Sequence, residues 1–218
     1  QIDLGQTANL AQPLTSSDGT FSVTFTVNVQ AYGTKTITVE GIDTRYRLTK
    51  TYCIIPEIIS VMPNTGTVGT NVVITCSGYG SGEQVRVDFG QTSSMVIGVA
   101  SFDGTFTTSW TVDKQGYGTQ SIVAQGVVSK AQAGNTFYIT PKILEVTPTI
   151  GTVGSIVTVR CDGYGADEEV SLTLGKTVGI VMVRASNGGT FTTTFTIDSQ
   201  RYGTQALIIE GVNSKHPM

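Results

Sequence analysis

Few side chains in this sequence could do chemistry, and their spacing argues against most of what they could do. His216 is the single histidine, third from the last residue. A Ser-His-Asp or Cys-His arrangement needs a histidine oriented by a packed scaffold, and a polar terminal stretch offers none. Acidic residues gather beside turn sequences: Glu83 with Asp88, and Asp167 with Glu168 and Glu169. They could offer oxygens to calcium at a domain junction, but calcium takes roughly six to eight convergent oxygens and no D-x-D-x-D-G loop is present. They read as solvated loop carboxylates. The GYG and GTVG segments lack the Lys-Ser/Thr pair and following helix of a phosphate loop. No catalytic, cofactor-binding or metal-binding residue is assigned, no cofactor is implied, and enzymatic activity is not expected.

The cysteines and tyrosines read as structural parts. Cys76 and Cys161 share one repeat position on the apolar face of a strand, a domain length apart and far beyond the ~7 Å Cα separation a disulfide allows. Both read as small buried hydrophobes. Cys53 alternates out of phase with Tyr52 and Ile54 and so points outward. It is either an unpaired thiol covered by the next domain or a candidate for an intermolecular contact. Tyr32, Tyr117 and Tyr202 each precede Gly-Thr, where a corner tyrosine of a β-sandwich would bond its hydroxyl to backbone; a ligand-binding aromatic is the alternative.

The elements that must position these residues are β-strands. Of 218 residues, 39% are hydrophobic but only 13% charged, about half the usual share. Threonine leads with 35 copies and glycine follows with 26, a pairing of stiff β-formers with turn residues. The net charge of -3 supplies no basic footprint, so nucleic-acid binding is not expected. No apolar run approaches the ~20 residues of a membrane span, and the first 20 carry no targeting pattern.

The sequence repeats with a shift of 85 residues: GTVGT at 66 returns as GTVGS at 151, and SGYG at 77 as DGYG at 162. DGTF at 18, DGTF at 103 and GGTF at 188 keep the spacing, as do AYGT at 31, GYGT at 116 and RYGT at 201. Three units follow: a partial one over 1–56, a complete one over 57–141, and one over 142–218 that stops before its last strand. Such ends read as a fragment of a longer repeat protein, or as a subunit whose terminal units are completed by neighbours.

Within a unit, Val72, Ile74 and Cys76 alternate with Val73, Thr75 and Ser77, the period of a half-buried strand. The strongest alternation runs from Phe21 through Val23, Phe25 and Val27 to Val29; its counterparts place Phe106, Trp110, Phe191 and Phe195, and these aromatics should anchor each core. Further strands are expected at 57–62, 83–89, 93–101, 119–126 and 135–140. Asp18-Gly19, Asp103-Gly104 and Asn187-Gly188 supply tight hairpin turns. About seven short strands per unit, with helix nearly absent, describe an all-β fold of tandem immunoglobulin-like Greek-key sandwiches.

Pro63, then GTVGT, a strand ending in SGYG, Glu83, VRVDFG at 85–90, DGTF and YGT together resemble the IPT/TIG-like immunoglobulin repeats of bacterial and archaeal surface proteins. The resemblance spans the whole chain. It implies the sandwich fold and a spacer duty in stalks, adhesins or surface layers, and brings no catalytic or cofactor residues. The resulting expectation is an extracellular, cell-surface structural segment of a filament, sheath, stalk or surface layer, with self-association as its partner mode. Uncharged faces lose less solvation on contact. The alternative is an adhesin-type module contacting carbohydrate or a partner protein through 91–102 or 176–187, although Met95, Val96 and Val181 stand there where stacking aromatics would be needed.

Overall fold

The computed structural model describes residues 1–214; His216 lies outside the described residues. Among them every regular element is a strand. Strands β1 (Ile2–Leu4), β2 (Thr7–Ala11), β3 (Gly33–Glu40) and β4 (Arg47–Ile54) form one antiparallel sheet in the order β2-β1-β3-β4.

The middle unit holds β5 (Glu57–Met62), β6 (Thr65–Gly66), β7 (Asn71–Ser77), β8 (Gln84–Phe89), β9 (Thr92–Val99), β10 (Phe106–Thr111), β11 (Gly118–Gly126) and β12 (Gln132–Ile139). Two sheets, β10-β7-β5 and β6-β12-β11-β8-β9, face each other. The chain changes sheet between β9 and β10 and again between β10 and β11, which is the Greek-key path of an immunoglobulin-like sandwich. The short β6 pairs in parallel with the end of β12 and closes one side.

The third unit repeats the plan with β13 (Lys142–Thr147), β14 (Ile156–Asp162), β15 (Glu169–Leu174), β16 (Thr177–Arg184), β17 (Phe191–Thr196) and β18 (Leu207–Gly211). Its sheets are β13-β14-β17 and β16-β15-β18.

The alternating residues fill the interior as the pleat requires. Val72, Ile74 and Cys76 from β7 meet Val85, Val87 and Phe89 from β8, all buried. The Phe89 ring lies 5.7 Å from Trp110 and 5.9 Å from Phe137, and each such side chain contributes about 1.5–3 kcal/mol on leaving water. Phe191 and Phe195 do the same in the third unit.

Two expectations are corrected. The segment Phe21–Val29 forms no strand, and Phe21 is 42% and Val29 48% exposed. Its counterparts β10 and β17 each pair with a preceding strand, β7 or β14, and among the described residues no strand lies beside 21–29 to pair with it. The turns at Asp103-Gly104 and at 187–189 are also not hairpins within a sheet; they carry the chain from one sheet to the other, and Asp18-Gly19 joins no pair of strands. In the third unit the left-handed residue is Gly189 (φ 72°), aligned with Gly104 (φ 81°). Gly188 therefore takes the place of Asp103, and Asn187-Gly188 stands one residue ahead of the turn.

Candidate functional site: unit junctions and open sheet edges

The most elaborate polar structure in each sandwich surrounds the tyrosine that follows β7 or β14, Tyr79 or Tyr164. Tyr79 and Tyr164 are fully buried. The Tyr79 hydroxyl donates to the Ala124 carbonyl at 2.8 Å and that of Tyr164 to Ile209 at 3.2 Å, so each tyrosine ties its loop across the core. Burial pushes both phenols upward in pKa, with further increments from the neighbouring cysteine and glutamate. This is the hydroxyl-to-backbone role expected of Tyr32, Tyr117 and Tyr202. Those three instead lie at or near the surface. Tyr117 accepts a hydrogen bond from the Tyr138 hydroxyl at 2.5 Å, and Tyr202 is fully exposed.

Four residues after each buried tyrosine stands a buried glutamate. Glu83 accepts N–H groups from Gly80 at 2.9 Å, Val128 at 2.9 Å and Ser129 at 2.5 Å. Glu168 accepts the corresponding groups from Gly165, Asn213 and Ser214. Burial alone would raise these carboxyls, but the converging N–H groups outweigh it and hold both below the usual range. The expectation of solvated loop carboxylates is therefore wrong for Glu83 and Glu168, which are 7% and 4% exposed. They anchor the turn after β11 or β18 to the loop before β8 or β15. Asp167 and Glu169 are exposed, and Asp88 accepts the Ser94 N–H and pairs with Arg86. No group of three or more His, Cys, Asp or Glu residues among the described residues could hold a metal ion.

The tyrosine loop also makes the joint between units. The Tyr79 N–H donates to Gly104 within its own unit, while its carbonyl accepts the N–H of Tyr32 from the preceding unit at 2.8 Å. Tyr164 repeats both bonds, to Gly189 and from Tyr117 at 2.9 Å. Glycine is required where the backbones meet. A Cβ on Gly104 would lie 2.4 Å from the Tyr79 oxygen and 2.7 Å from the Ala31 Cα; one on Gly189 would lie 2.1 Å from the Tyr164 oxygen. Gly78 and Gly163 likewise face the linker carbonyls of Ile55 and Thr140. Two successive junctions are thus built from the same parts.

Two surfaces remain open. In the third unit a groove of about 830 Å³ runs between β18 and the 149–153 segment, floored by Val146, Val157, Leu174, Phe195, Ile197 and Leu207. In the middle unit the corresponding space holds β12, whose Phe137 and Ile139 are buried. The backbone differs in the same place. Residues 118–121 of β11 pair only with β12, since β8 begins its pairing at Ile122, and their counterparts 203–206 are not strand. The second open surface belongs to the first unit, where Leu48 and Tyr52 on β4 are 67% and 42% exposed.

Cys76 and Cys161 sit in the cores, and burial raises their thiols to about 12. Cys53 is exposed, so the next unit does not cover it. Met95, Val96 and Val181 belong to β9 and β16 and pack half-buried against the cores, so those stretches are strands rather than binding loops. No helix of the described residues is long and apolar enough to cross a membrane.

No family model matches the chain, and no curated protein does. Among solved structures it is similar to the BSP domain of a biofilm associated protein, at 17% identity and a TM-score of 0.28 over 75% of this chain and 27% of that one. It is also similar to SGBP-B from a complex xyloglucan utilization locus in Bacteroides uniformis (22% identity, TM-score 0.27, 72% and 46%). A third likeness is to the ICAM-5 D1–D4 ectodomain fragment (17%, 0.29, 86% and 59%). The chain spans less than two thirds of each, and the immunoglobulin-like fold assigned here rests on its own topology.

Proposed function

We propose that this chain is a structural segment of an extracellular polymer, in which sandwich units are set at fixed spacing and self-associate into a filament, sheath, stalk or surface layer. The observation that carries the reading is the joint. The same tyrosine carbonyl, tyrosine N–H and glycine contacts recur at both junctions, 85 residues apart. A binding site has no need of such repetition, whereas a spacer of set geometry does. The polar groups that sequence would offer to chemistry are spent on backbone: Glu83 and Glu168 on turns, Tyr79 and Tyr164 on carbonyls. A chain with only 13% charged residues has faces suited to packing against their own kind. The motif resemblance to IPT/TIG-like surface repeats supports the same reading. Sedimentation velocity and negative-stain microscopy of the natively purified chain test it: oligomers or fibres are expected, and a strictly monomeric particle at high concentration would defeat it.

An adhesin role has one observation in its favour. Phe102 is 75% exposed in the turn before β10, where the other units carry Ser17 and Asn187. If that aromatic stacks on a sugar, a glycan array will register binding that Phe102→Ala abolishes.

A further inference from the structure

We propose that the free edge of β9 in the middle unit is a pairing site for β9 of a second copy of this chain, the two strands running antiparallel about a two-fold axis at Ile97. This deepens the self-association reading and rests on it for the identity of the partner.

Strand β9 is the last of its sheet, paired only with β8 among the described residues. Which of its backbone groups are free follows from one bond. The Ala100 N–H donates to the Glu83 carbonyl at 2.8 Å, in the same register that sets Gly98 against Val85 and Val96 against Val87. Antiparallel bonds alternate along a strand, so residues 96, 98 and 100 bond β8, and the N–H and C=O groups of Ile97 and Val99 point away from it. Their side chains stand on the outer face, 56% and 61% exposed. A bulge at Ser94, whose N–H donates to the Asp88 carboxylate at 2.7 Å, bounds the straight run at Met95.

Native sheets blunt a free edge with charge or proline, and the neighbouring units do so at this place. In the third unit the same alternation, fixed by the Ala185 N–H donating to Glu168 at 2.8 Å, directs the backbone of Met182 and Arg184 outward, and Arg184 stands where β9 has Val99. In the first unit Pro13 stands at the place of Gly98 and cannot donate to a ladder. Residues 91–102 carry neither charge nor proline. The cation opposite Ile97 in the ladder, Arg86, is already paired with Asp88 at 3.1 Å. Such a strand is its own complement. With the axis at Ile97, that residue lies opposite its copy and Val99 lies opposite the copy's Met95, so the outward N–H and C=O groups of Ile97 and Val99 find partners while apolar side chains adjoin apolar ones. A strand bearing charge at these positions would strand that charge among apolar neighbours. The contact is isologous and closes at two copies. It joins chains side by side, as a sheath or surface layer requires.

The test uses the whole chain. In a Cys53→Ser background, Ile97→Cys sets two thiols on the axis with their Cα atoms about 5.5 Å apart, within the range a disulfide spans. Oxidised glutathione should convert this variant to a covalent dimer on a non-reducing gel, and Met182→Cys, at the guarded edge, should cross-link at least ~10-fold less. Val99→Arg, which gives β9 the third unit's guard, should weaken self-association at least ~10-fold by sedimentation velocity, with the Trp110 fluorescence midpoint in urea unchanged. Equal cross-linking at 97 and 182, or oligomers undiminished by Val99→Arg, overturns the β9 edge as the contact while leaving self-association standing. A chain that is monomeric at high concentration and forms no cross-link at 97 overturns the edge and the self-association reading together.

Discussion

Replacing Glu83 with glutamine separates a buried backbone clamp from an ordinary loop acid, and the single tryptophan makes the measurement local. The Glu83 oxygens accept one N–H on one side and two on the other. A glutamine can present only one oxygen, so whichever way it turns its NH2 meets a donor. One bond to a charged group, worth about 1.5–3 kcal/mol, is lost outright, and the others lose charge assistance, so the middle unit should weaken by about 3 kcal/mol. Trp110, buried in that unit's core, reports it by fluorescence. For a unit this small m is about 1 kcal/mol/M in urea, so the midpoint should fall by roughly 2–3 M. Glu168→Gln, the same change in the third unit, should move the Trp110 midpoint by less than about 0.5 M. The pH dependence has a fixed sign. A carboxyl held below its ordinary value stabilises the fold above the unfolded pKa, here 4.5, and that stability is lost as pH falls through the folded value. The wild-type midpoint should therefore drop on acidification, and the Glu83→Gln midpoint should drop less. A shift below about 0.5 M in the Glu83 variant, or an equal acid response in both proteins, would refute the clamp.

Tyr79→Phe removes the hydroxyl bond to Ala124 and leaves a buried carbonyl short of a partner, so the middle unit should lose about 1–2 kcal/mol, read as a lower fluorescence midpoint; no change would mean the hydroxyl does not matter. Gly104→Ala and Gly19→Ala carry the same left-handed strain, at φ 81° and 80°, but only Gly104 meets a neighbouring unit, the space around Gly19 being open. Limited proteolysis of the Ile55-Pro56 linker should therefore accelerate in the Gly104 variant alone, and equal rates would remove the joint from the account. With a thiol-reactive dye at pH 8, Cys53 should label in the native state while Cys76 and Cys161, raised to about 12, label only on unfolding; native labelling of all three would place the core thiols elsewhere.

Most of the strands were legible in the sequence because each rests on a local signal. Alternation over Val72–Cys76 or Phe106–Trp110 reports one buried face, and turn glycines bracket it. The functional surfaces were not readable, because their residues look ordinary in sequence. Glu83 follows a Gly-Ser-Gly turn, where a carboxylate is usually wet. What buries it is the turn after β11, some 45 residues away, whose N–H groups arrive only when the sandwich closes. Tyr79 and Tyr117 both sit beside glycine in near-identical GYG settings. Which one reaches across a core and which one meets the next unit depends on the loop between β7 and β8, and no local pattern encodes that.

Phe21–Val29 is the sharpest test of this division between local signal and distant partner. It has the strongest period-two alternation in the chain, yet its backbone joins no ladder, while the weaker patterns of Phe106–Thr111 and Phe191–Thr196 each pair along six positions with β7 or β14. Alternation states only which side of a strand would be buried; the hydrogen bonds that make it a strand belong to its neighbour. Hydrogen exchange reads the difference directly. Amides of 106–111 and 191–196 that bond across the ladder open only with their sandwich, whereas those of 21–29 have nothing to break, so their exchange should be at least ~100-fold faster. Peptic fragments covering the three segments in one native sample supply the comparison within a single experiment. Equal protection across them would mean that the first segment finds a partner after all, in another copy or within the first sheet, and that the exposure of Phe21 and Val29 does not describe the chain in solution.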